Sequence, residues 1–206
     1  KHAGEVTEPY QLLQEIRKAR MQALQGCGGP PQAHEEVARY FYQRYREAAR
    51  RNYQDWKLWL QCFAATSPRS SLKANVTLAD RAYVILRGAA LRTCSFEGFI
   101  GAHRGNLARI AQGVALEGPK VTAFAKALRG SPNAVPVDRW MLRWAGHRGA
   151  SPRTCQDTEE KVRTWAARYG IPPREAQALL WHRVRRSWTG EGTADAVVIQ
   201  NRLWKE

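Results

Sequence analysis

Apolar residues recur at helical spacing along nearly the whole chain and alternate almost nowhere. Tyr10, Leu12, Leu13, Ile16, Ala19 and Leu24 follow a period near 3.6 over 9–25. Val37, Tyr40, Phe41, Tyr45 and Ala48 do the same over 33–53, and 55–65 is strongly apolar. Further helices are expected over 70–88, around 95–100, and over 104–113, 119–129, 137–146, 155–169 and 173–187. Breakers stand between them: Thr66-Ser67-Pro68, Gly88, Gly118-Pro119, Gly130-Ser131-Pro132, Gly146 and Gly170 to Pro173. Strand signals are confined to Val135-Pro136-Val137 and Ala196-Val197-Val198-Ile199. The pattern predicts an all-α fold.

A chain of 206 residues makes one domain, or two small lobes around a cleft. The cluster Gly26-Cys27-Gly28-Gly29-Pro30-Pro31 is the best internal boundary. It separates an N-terminal helical arm, 1–31, from a helical body, 32–206. Thirty-three Lys and Arg against 18 Asp and Glu give a net charge of +15. Such a balance favours a polyanion: DNA, RNA or an anionic membrane face. No apolar run is long enough to span a membrane, and no basic amphipathic membrane helix stands out. The basic residues are scattered through folded segments, which favours nucleic acid; a basic surface kept for solubility is the plain alternative. The opening Lys1-His2-Ala3-Gly4-Glu5 has no apolar signal core. With Cys27, Cys62, Cys94 and Cys155 far apart and no CxxC, reduced thiols in a cytoplasmic, nucleoid-associated protein are expected. The histidines form no HxxxH or HExxH pattern, and phosphate-binding Gly motifs are absent, so no metal and no cofactor are expected.

Chemistry concentrates between Leu107 and Gly146. A helix leads into the Gly-containing turn Leu116-Glu117-Gly118-Pro119-Lys120-Val121; another helix follows, then Asn133-Ala134-Val135-Pro136-Val137-Asp138. A glycine turn lets backbone N–H groups approach a phosphate. Lys120 stands in a first helical turn, where the dipole disfavours its charge and favours the neutral, nucleophilic amine. Asp138 opens the next helix, where a carboxylate caps. Singly, such residues are ordinarily a solvated lysine and an N-cap. Paired 18 residues apart behind Ala-Val-Pro-Val, they are far more specific.

This segment resembles the helix–hairpin–helix DNA glycosylase superfamily, above all its lysine-containing 8-oxoguanine glycosylase and endonuclease III branches. Residues 107–146 carry the likeness closely. A weaker one extends upstream through Cys62-Phe63-Ala64-Ala65-Thr66-Ser67-Pro68 and Asn75. The turn departs from the superfamily's usual Leu-Pro-Gly-x-Gly: it is shorter, with one Gly and an acid. In this the Gly-Pro-Lys turn resembles that of phage-encoded members of the superfamily and of lineages suspected of handling hypermodified bases.

The resemblance implies a two-lobed helical bundle and a monomer acting on double-stranded DNA with one nucleotide flipped out. It also implies a DNA glycosylase with lyase activity. Lys120 would attack C1′ of the target nucleoside, displace a modified or damaged base and form a Schiff base that allows β-elimination of the 3′ strand. Asp138 would stabilise the cationic sugar. Gly118, Ser67, Arg69, Lys73, His103, Arg104 and Arg139 are the candidate DNA contacts, with the wedge among Ser67, Pro68 and Arg69. Trp140, Trp59 and Phe63 are candidates for the base pocket, although aromatic residues at helical spacing are commonly core. Alternatives are a non-catalytic DNA-binding protein on the same fold, or an enzyme acting on hypermodified phage-type bases.

Overall fold

The structure, a computed structural model, describes residues 29–32, 35–88 and 95–189. The expected helix over 9–25, His2, His34, Cys27, Cys94 and the apolar run 196–199 lie outside the described residues. Among those described, the chain is helical and contains no strand. The elements are α1 (Glu36–Arg39), α2 (Phe41–Asn52), α3 (Trp56–Ala65), α4 (Leu72–Gly88) and α5 (Gly101–Ala111). They continue as α6 (Pro119–Arg129), α7 (Arg139–Trp144), α8 (Pro152–Arg168) and α9 (Pro173–Thr189).

Punctuation residues set most of these boundaries. Asp55 caps α3 by accepting the Leu58 N–H at 3.0 Å. Pro119 opens α6, and Gly130, at φ +110°, closes it in the left-handed conformation that glycine favours. Ser151 and Thr154 form a reciprocal capping box ahead of α8, with Pro152 in its first turn. The expected helix over 33–53 is divided at Tyr40, although Tyr40 N–H still reaches Glu36 O and Arg44 N–H reaches Tyr40 O. The helix expected around 95–100 is absent. Residues 95–100 form a turn, because Gly98 sits at φ +79°, outside helical space, while Phe96 and Phe99 both turn into the core. Val135-Pro136-Val137 is unpaired loop.

Apolar side chains gather in two clusters. The first is built on α3, which packs against α2, α4, α5 and α6. Stacked rings run through it: Tyr53 on Trp59, Trp59 on Phe63 and Phe63 on Tyr45, with centroids 4.8–5.1 Å apart. Asp80 accepts from Trp59 Nε1 at 2.7 Å and from the Tyr53 hydroxyl at 2.6 Å, so the polar groups at the Tyr53–Trp59 end of the stack are satisfied. The second cluster is built on α9 with α7, α8 and the segment through Val135 and Val137. Polar contacts tie the two together. The Tyr42 hydroxyl donates to Gln177 Oε1, and Gln177 Nε2 donates to the Pro136 carbonyl at 3.1 Å. Arg183 pairs with Glu35 and also donates to the carbonyls of Gly29 and Pro30, so the end of the Gly/Pro stretch is held against α9.

Two modest predictions follow from this packing. Asp55→Ala is expected to lower stability by about 1 kcal/mol, the usual loss of an N-cap, read by urea denaturation. Cys62 is fully buried, and burial pushes its thiol up to about 12. A disulfide reagent at neutral pH is therefore expected to spare Cys62 in the folded protein while reacting with the partly exposed Cys155.

Candidate active site

A cleft of about 830 Å³ opens where the two clusters meet. Its walls come from α2, the α3–α4 loop, the start of α6, the stretch from Pro136 into α7, the α7–α8 loop and α9.

Lys120 enters this cleft from the first turn of α6. Gly118, at φ +92°, turns the chain so that Pro119 can start the helix. The short turn is braced from α5. Asn106 Nδ2 donates to Glu117 O at 3.1 Å and Asn106 Oδ1 accepts the Glu117 N–H at 2.7 Å. Arg109 donates to Ala115 O and pairs with the Glu117 carboxylate. The acid in this turn is thus paired with a cation from α5. Lys120 Nζ donates to Ser67 Oγ at 2.6 Å and lies 5.3 Å from the centre of the Phe124 ring. Burial lowers the amine's pKa from the ordinary lysine value, opposed by the negative charge of Asp138.

Asp138 lines the same cleft and caps α7. Its Oδ1 accepts the Trp140 and Met141 N–H groups at 2.9 and 3.1 Å, and its Oδ2 accepts Trp181 Nε1 at 2.8 Å. Backbone and side-chain donors thus fix both oxygens. The same carboxylate, after burial, helps raise the Tyr42 hydroxyl pKa well above its ordinary value. The fold therefore brings the amine and the acid to one cavity.

The other residues singled out from sequence divide. Ser67, Arg69, Arg139 and Trp140 line the cleft. Arg69 is exposed and holds φ +58°, a strained conformation for a side chain of its size. The Trp140 ring lies 4.9 and 4.8 Å from the guanidinium carbons of Arg139 and Arg143. Lys73, Arg104 and Gly118 are exposed but outside the cleft lining. Three expectations are corrected. Trp59 and Phe63 are fully buried in the α3 ring stack and do not reach the cleft. His103 is buried too: its Nε2 donates to Pro68 O at 2.7 Å, bracing the α3–α4 loop rather than facing a phosphate.

Sequence reading missed Tyr42, Gln177, Trp181 and His147, all of which line the cleft, as does Arg185. A faint signal existed for Arg185, within the basic run Arg183, Arg185 and Arg186 of α9. Among the described residues, no group of His, Cys, Asp and Glu could hold a metal ion, and no helix is long and apolar enough to cross a membrane.

No curated protein and no solved structure matches the chain. A family model covers residues 38–188, which takes in every cleft residue named above. The chain therefore belongs to the family of unknown function DUF7178.

Proposed function

We propose that this protein is a DNA glycosylase with lyase activity, built as a two-lobed helical body of the helix–hairpin–helix type and acting as a monomer on duplex DNA with one nucleotide flipped out. The observation that carries the reading is a desolvated lysine amine sharing a cleft with a carboxylate whose charge acts on it. The net charge of +15 and the arginines around that cleft supply the attraction for a phosphate backbone.

The chemistry requires the neutral amine, which burial favours. Lys120 Nζ forms a bond to C1′ as the N-glycosidic bond breaks, and the base leaves with the bonding electrons and takes up a proton. Asp138 stabilises the positive charge developing on the sugar. The sugar ring then opens: O4′ takes a proton and C1′ becomes doubly bonded to Nζ. Loss of a C2′ proton breaks the C3′–O bond and releases the 3′ phosphate strand. Water finally hydrolyses the imine and frees Lys120. Phe41, Trp140 and Trp181, partly exposed on the cleft wall, would supply stacking for the flipped base.

The test is mass spectrometry of duplexes that each carry one oxidised or bulky-substituted base. A free base together with a strand ending in an unsaturated aldehyde is expected for at least one of them. An intact strand bearing an altered base would point to base modification. Salt-sensitive binding without any chemistry, indifferent to Lys120→Gln and Asp138→Asn, would point to a DNA-binding protein alone.

A further expectation concerns Arg69. Glycine tolerates the same backbone geometry, so Arg69→Gly removes the charge without added strain. It is expected to reduce the slope of log affinity against log salt by about one, measured by fluorescence anisotropy.

A further inference from the structure

We propose that Ser67 is the positioning residue for the Lys120 amine, holding one N–H so that the lone pair is presented to the cleft. The inference rests on the reading of Lys120 as a nucleophile. Its basis is the chain of contacts Lys120 Nζ to Ser67 Oγ, 2.6 Å, and Ser67 Oγ to Ala64 O, 2.8 Å.

A carbonyl oxygen can only accept, so the serine's one hydroxyl proton is committed to Ala64. Ser67 Oγ faces Lys120 as an acceptor and cannot cap the amine's lone pair. A lysine side chain has many rotamers, and a nucleophile that wanders loses much of the advantage of being near its target. The serine removes that freedom without consuming the electrons needed for attack.

The hydroxyl is itself fixed. Ser70 Oγ donates to Thr66 O at 2.8 Å, and His103 Nε2 holds Pro68 O. Asn75 Nδ2 donates to Phe63 O at 3.0 Å and Asn75 Oδ1 receives the Thr66 hydroxyl at 2.7 Å, anchoring the end of α3 to α4. The loop that delivers Arg69 to the cleft is thereby the one that orients the amine. Asp138 is the charged group that acts on Lys120; the other ionisable side chains on the cleft walls are Tyr42, Arg69, Arg139, Arg143, His147, Arg148 and Arg185.

An acceptor is worth more to an ammonium than to a neutral amine, so removing it should make the proton easier to lose. The experiment compares wild type, Ser67→Ala and Ser67→Thr by two readouts. One is the titration of Lys120 in lysine-labelled free protein by NMR, assigned with Lys120→Gln. The other is the rate of borohydride trapping on abasic-site DNA across pH.

Ser67→Ala is expected to move the Lys120 titration to lower pH and to slow trapping at its plateau about tenfold. Ser67→Thr, which keeps the hydroxyl, is expected to restore both. A merely structural role would lower the rate at every pH and leave the titration where it was. A wild type that forms no adduct overturns the nucleophile reading and this role with it. A wild type that forms the adduct, with a Ser67→Ala profile that overlays it, overturns this role alone.

Discussion

Lys120→Gln is expected to abolish the covalent adduct that borohydride traps on abasic-site DNA, a loss on the order of 10³-fold or more, as when a nucleophile is removed from a working site. The expectation follows from where the amine sits. It is desolvated in the cleft, donates to Ser67 and feels Asp138, and among the described residues no other lysine lines that cavity. Trapping in wild type is expected to rise with pH as the amine loses its proton and to level off below 10.5, the ordinary lysine value. The loss should not come from unfolding. Because the folded amine has a lower pKa than the unfolded one, the unfolded chain binds more protons at any pH between the two values. Stability therefore rises with pH through that window, and below it the buried ammonium is a net cost. Gln removes that cost. Lys120→Gln is expected to melt no lower than wild type at neutral pH, as followed by circular dichroism.

Asp138→Asn is expected to slow single-turnover base release by about 10²–10³-fold, the scale of one preorganised electrostatic contact to a developing charge. Asparagine is itself a good N-cap, and its carbonyl can still accept the Trp140 and Met141 N–H groups. What it cannot supply is the negative charge, nor an acceptor at both positions. If its oxygen caps α7, its NH₂ faces Trp181 Nε1, which is also a donor. A small loss of stability is expected alongside the large loss of rate. Without the carboxylate, the Lys120 titration should also move to lower pH, since Asp138 is what opposes the effect of burial. Binding of undamaged DNA should change little, which separates a chemical role for Asp138 from an electrostatic role in docking.

Local rules made much of the fold legible. Gly118-Pro119, Gly130, Pro152 and Pro173 each bound a helix through backbone restrictions that act within a few residues. The same local reading misfired at 95–100. Phe96 and Phe99 are spaced as on a helix face, but Gly98 in left-handed backbone makes a turn that also buries both rings. Burial of aromatics was harder still. Trp59, Phe63 and Trp140 all stand at helical spacing, yet only Trp140 meets the cleft, because α3 is surrounded by neighbours while α7 edges the cavity.

The amine and the acid were legible because a single helix and its trailing loop connect them. Their partners were not. Ser67 is 53 residues from Lys120, and Trp181 is 43 residues from Asp138. Such contacts depend on how α3, α6 and α9 pack, and no short motif encodes them. His103 shows the converse: a histidine at a helix start resembles a phosphate contact until the Pro68 carbonyl is found against its ring.

Peptide mapping of the borohydride-reduced adduct tests the central claim most directly. After digestion of the protein and trimming of the DNA, tandem mass spectrometry should find the sugar remnant, joined as a secondary amine, on Lys120. Finding that mass on an exposed lysine such as Lys73 instead, or on no lysine at all, would contradict the claim.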